Sequence, residues 1–190
     1  MSDFTSMTRQ LSISVGSWII QDGNYGDFAV GDTSKFALEF SGQKLVPSSK
    51  GERSAKFLHT SIYRVRAMVV FVHPRVWVID FGVLAFWEEE PPSFAKIGDW
   101  VEGDIFVGID PFFYKEYLHK LPGIPSLHYN WKVEGVSRQD TPWLSAVNER
   151  GGITMSRDAS RERWTEVDHT KAWDDDDGRA SYVLRCGGQV

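Results

Sequence analysis

The sequence predicts a mainly β chain: a small barrel or strongly curved antiparallel sheet, with one helix between the penultimate core strands and a polar C-terminal loop region. Three observations predict it. The middle of the chain holds long runs of β-branched and aromatic residues, "SIYRVRAMVVFV" and "VWVIDFGVLAFW". Two further stretches alternate apolar and polar residues with a period of two. From Ser137 to Gly178 this patterning fades into polar sequence before a last apolar run.

Taken in order, residues 11–40 supply N-terminal strands, and residues 61–136 form the β core. Residues 61–72 and 76–87 flank His73-Pro74-Arg75, a hairpin with proline in the turn, where its missing N–H costs least. In "DWVEGDIFVGI" (99–109), Val101, Gly103, Ile105 and Val107 face one way. Trp100, Glu102, Asp104 and Phe106 face the other. Asp110 then caps a helix over 111–120, Pro111 suits its first position, and Leu121-Pro122-Gly123 stops it. In "LHYNWKVEGV" (127–136), Leu127, Tyr129, Trp131 and Val133 form a core face opposite His128, Asn130, Lys132 and Glu134. Residues 137–179 read as a peripheral loop region with a short helix at 158–167, pinned by Trp143, Trp164 and Trp173. "ASYVLRC" (180–186) is the final strand, and residues 1–190 read as one domain.

Strand, strand, strand, helix, strand and late strand, counted from Ser61, is an order that resembles the OB fold, a five-stranded barrel. "IGDWVEGDIFVGI" is similar to the "VGDxVxGxI" entry of S1-like barrels. The likeness covers about a dozen residues and implies a fold, not a family.

Composition bounds the function. With 42% hydrophobic residues the chain can build a core, and eight Trp exceed what a core of this size needs, which directs some of them to a binding surface. Cys186 is the only cysteine, so no intramolecular disulfide can form; this and the lack of a basic-then-apolar leader predict a cytoplasmic protein. No apolar run reaches the ~18–20 residues of a membrane helix. The net charge of −5 disfavours a general nucleic-acid binder. Residues 43–66 are nevertheless basic, with Lys44, Lys50, Arg53, Lys56, Arg64 and Arg66 against Glu52 alone. Residues 158–177 hold eight acids against Arg161, Arg163 and Lys171.

Familiar catalytic and metal motifs are absent. The five histidines form no metal-ligand pair, and Glu116 with His119 gives a single Glu-x-x-His step where a di-iron bundle needs two. Aligning Gly178 of "DDDDG" with the sixth position of a calcium loop puts Trp173 first and Leu184 twelfth, so both end ligands are missing and the run reads as a solvated turn. No metal or cofactor is expected. "DFG" at Asp80–Gly82 lacks the other kinase motifs. Asp80 lies in a strand apolar on its other face, from Trp77 to Trp87, and so predicts an ion pair with Arg64 or Arg66. There is no P-loop, dinucleotide fingerprint or nucleophile elbow.

Three function classes remain. The first is a non-catalytic binding protein that recognises another protein or a small ligand through an aromatic and acidic β-surface, Trp77, Asp80, Trp87, Trp100, Glu102, Asp104 and Phe106, a mix suited to a basic partner. The second is a single-stranded nucleic-acid binder using the basic segment, with Tyr63 and Trp77 as stacking surfaces. The third is an acid/base enzyme at the strand–helix junction 104–119, using Asp104, Asp110, Glu116 or His119. The first accounts best for the composition.

Overall fold

The computed structural model describes residues 8–42, 44–147 and 151–189. Residues 1–7, the first part of the stretch on which the leader expectation rests, and residues 43, 148–150 and 190 lie outside them. The strands in chain order are β1 (Thr8–Gly16), β2 (Thr33–Phe36), β3 (Leu38–Ser41), β4 (Val46–Ser48), β5 (Ser54–His59), β6 (Ile62–His73) and β7 (Val76–Asp80). There follow β8 (Leu84–Trp87), β9 (Trp100–Ile109), β10 (Tyr129–Gln139), β11 (Trp143–Val147), β12 (Ile153–Arg157), β13 (Trp164–Val167) and β14 (Ser181–Gln189). The helices are short: α1 (Ser17–Gln21), α2 (Phe113–Glu116) and a 3₁₀ turn, Leu118–Lys120. None is long and apolar enough to cross a membrane.

Five strands close a barrel in the order β6, β7, β8, β3, β9 and back to β6. Every contact in the ring is antiparallel except β3 with β8. This is the OB-like barrel the sequence predicts. The one parallel contact is made by β3, which precedes the other four ring strands in the chain.

The ring is therefore assembled from different segments than the sequence count suggests. Residues 76–87 are two strands, because the chain reverses at Phe81-Gly82-Val83. Gly82 takes φ +103°, and its N–H donates to the Asp80 carboxylate at 2.9 Å. The expected strands at 127–136 and 180–186 lie in β10 and β14, outside the ring. They pair in an antiparallel layer, β13-β10-β14-β1, which joins the barrel through the parallel pair Ser14–Gly108. Local patterning marks both as half-buried strands; only long-range pairing decides which sheet each joins.

One core runs through both layers. Val65, Trp77, Ile79 and Ile105 from the barrel meet Ile13, Trp131, Tyr182 and Leu184 from the outer layer, all essentially inaccessible. A second cluster covers the outside of β7 and β8, where Val76, Val78 and Phe86 pack under Tyr114 and Leu118. This explains why β7 is apolar on both faces: one lines the barrel and the other carries the helical segment.

Candidate binding cleft

β5, β6, β9 and β4 lie side by side. Alternation turns Val65, Ala67, Val101 and Ile105 inward, which leaves the charged residues between them outside. Register then sets them in rows. Lys56, Arg64 and Asp104 stand across three strands; one step on, Ser54, Arg66, Glu102 and Val46 stand across four. The next row holds Met68, Trp100 and Ser48. Over these rows opens a cleft of about 800 Å³, lined among others by Lys44, Lys56, Arg64, Arg66, Glu102 and Asp104.

The cleft is zwitterionic with a positive excess. Arg64 donates from Nε and Nη2 to the two carboxylate oxygens of Asp104, at 2.7 and 2.9 Å. This hydrogen-bonded guanidinium holds the Asp104 carboxyl below its ordinary pKa. Both side chains are well exposed, so the pair contributes little to stability and is open to competition. Arg66 donates to Ser48 and Ser49 and lies 3.6 Å from Glu102, whose carboxylate also accepts from Ser48 at 2.7 Å. Lys44 and Lys56 form no ion pair among the described residues. The cleft needs glycine at 103: φ is +153°, and an added Cβ would lie 2.6 Å from the Lys44 carbonyl oxygen.

The cleft thus unites two groups of residues that the sequence kept apart, the basic segment and the acids of β9. Other expected site residues lie elsewhere. Trp77 is fully buried inside the barrel, 5.1 Å from Phe40, and so cannot meet a partner; Tyr63 is buried likewise. Trp87 is half-buried and stacks on Trp77 at 6.2 Å. Asp80 pairs with Arg53 at 3.2 Å, and not with Arg64 or Arg66: it stands opposite Met68 at the end of β7, and those two arginines, farther along β6, are engaged with Asp104 and Glu102. With its second role at the Gly82 turn, Asp80 is a structural residue. Phe106 is exposed one row beyond Asp104, and Lys50 is exposed between β4 and β5.

Of the four acid/base candidates only Asp104 lines the cleft. Asp110 is fully buried, and its carboxylate accepts the backbone N–H groups of Phe112, Tyr114 and Lys115 at 2.8, 3.2 and 3.0 Å. It thus holds the first amides of the helical segment, but not as the expected N-cap before Pro111: the helix starts at Phe113 with Phe112 at its N-cap, and the segment breaks into α2 and a 3₁₀ turn. Burial raises the Asp110 pKa, which the amide donors offset only in part. Glu116 is exposed, and His119 Nδ1 donates to the Tyr114 carbonyl at 2.9 Å. Sequence reasoning missed Glu39, whose pKa is pushed up to about 7 by burial, then by Asp110 and Glu88. Its position between Leu38 and Phe40 shows that it faces out of the barrel; nothing local shows that two more acids lie near.

The Asp174–Asp177 run is no solvated turn. Asp175 pairs with Arg138 at 2.8 Å and accepts from the Tyr182 hydroxyl. Asp176 accepts the Trp143 indole N–H and pairs with Arg157, whose guanidinium lies 3.9 Å from the Trp143 ring centre. These contacts bracket the β11–β12 hairpin onto the body. Residues 137–179 therefore hold the end of β10 and, among the described residues, β11, β12 and β13, and the expected helix at 158–167 is a 3₁₀ turn followed by β13. Among the described residues no group of three or more His, Cys, Asp and Glu is arranged to hold a metal ion. The chain matches no family model, no curated protein and no solved structure.

Proposed function

We propose that this is a non-catalytic binding protein whose outer barrel face, β4-β5-β6-β9, docks an acidic segment of another protein. One observation carries the reading: four cations meet two carboxylates in the cleft, and Lys44 and Lys56 have no carboxylate of their own. The exposed Arg64–Asp104 pair adds a hydrogen-bonding fork that an incoming carboxylate can share.

Two observations favour a protein over a single-stranded nucleic acid. Tyr63 and Trp77, the rings that would stack bases, are in the core. The outward face of β7 and β8 is packed beneath the helical segment. The net charge of −5 adds long-range repulsion of phosphates.

Labelled polyglutamate, titrated against the full chain by fluorescence anisotropy, tests the reading. Binding is expected to weaken as salt rises and to fall about tenfold when Lys44→Glu and Lys56→Glu are combined. Unchanged affinity in the double variant, or tighter binding of a single-stranded oligonucleotide than of polyglutamate, overturns it.

A further inference from the structure

We infer that the partner segment binds as an added β-strand along the free edge of β5, with acidic and apolar side chains alternating along it. This rests on the cleft reading above and names how the partner is held. β5 pairs with β6 alone among the described residues, and all of its residues except Ala55 are exposed. An unpaired edge presents backbone N–H and C=O groups that an extended chain can match.

What lies on the two sides of β5 sets the chemistry of that chain. Ser54 and Lys56 face the basic cleft. Ala55 and Phe57 face the other way, into a groove of about 340 Å³ shared with Leu11, Ser12, Tyr63 and Arg185. A hollow of about 260 Å³ continues it past Phe57 to Trp164. Phe57 is 52% exposed, a large apolar surface at the mouth of this groove. Successive side chains of an added strand point to opposite faces. Every second residue would therefore meet Lys56, on the near side of the basic cleft, and those between would meet Phe57.

The far wall of the groove also lacks a strand. β1 pairs with β14 along its length, but its other edge meets β9 only at Ser14–Gly108. At Ser12 a side chain stands in for the missing backbone: the Tyr63 hydroxyl accepts the Ser12 N–H at 2.6 Å and donates to its carbonyl at 3.3 Å. Lys56 on the edge disfavours a neutral or cationic strand and admits an acidic one. The register shift between Phe57 and His59 confines regular pairing to Ser54–Phe57.

A random-peptide display library, selected on the full chain and counter-selected on Lys56→Glu, tests this. The expected consensus places acids at alternate positions with apolar residues between them. The synthetic consensus peptide should slow amide exchange at Ser54–Phe57, and N-methylation of alternate peptide residues should weaken it about tenfold. Phe57→Ser, at an exposed position, should reduce the preference for apolar residues without unfolding the chain. An acidic consensus without alternation, or one indifferent to N-methylation, leaves the cleft reading standing and overturns strand addition. Selection of peptides without acids overturns both.

Discussion

Glu39 and Asp110 show what burial does to single carboxylates. Glu39 is held protonated up to about pH 7 by desolvation and by Asp110 and Glu88 nearby, whereas in the unfolded chain it ionises near 4.5. Between those values the folded state binds more protons than the unfolded state, so its contribution to stability falls as pH rises. Glu39→Gln removes that loss. Relative to the parent, the variant should gain on the order of 2 kcal/mol between pH 4 and pH 8 in urea titrations. Asp110, raised in the same direction, leaves a smaller residual slope. Asp110→Ala strips an acceptor from three backbone N–H groups and should cost about 2–3 kcal/mol. Asp110→Asn, which keeps an oxygen there, should recover part of it. That Asp110 serves the start of the helical segment was legible from Asp110-Pro111; the late start at Phe113 was not. Nor was the raised pKa of Glu39, because it comes first from burial in the folded chain and then from Asp110 and Glu88, 71 and 49 residues along the sequence.

At the scale of elements, the acidic run and the β11–β12 hairpin depend on each other. Exposed along most of its length, the hairpin makes no regular pairing with the main sheet. Its attachment runs through Trp143 and Arg157 to Asp176. Asp176→Ala should therefore speed amide exchange through Trp143–Arg157 while barrel strands such as β7 and β9 keep their protection. Equal loss of protection in both would mean that the bracket stabilises the whole fold. The sequence offered Trp143 as an anchor but hid its partners. Four consecutive aspartates look self-repelling until the fold assigns Asp175 and Asp176 to arginines on other strands.

Across the whole molecule, the barrel and the outer layer share one core, and neither can lose its packing without exposing the other. Trp77 and Trp131 report on the two layers from buried positions. Unfolding in urea should thus be a single transition, with tryptophan fluorescence and far-ultraviolet circular dichroism coincident. Two separated transitions would show that the layers fold independently, against the single-domain reading.

The β class, the alternating faces of β9 and β10, the helical segment held by Asp110 and the basic character of residues 43–66 can all be read from the sequence. Each follows from local chemistry, since side-chain alternation, turn residues and charge are properties of short stretches. That β3 closes the barrel, that β10 and β14 lie outside it, and that Trp77 faces the core emerge from the folded chain alone. It also brought Lys44, Lys56, Arg64 and Arg66 against Glu102 and Asp104 in one cleft. These depend on the register between strands far apart in the chain, and a strand's own sequence carries its two faces but not the identity of its neighbour.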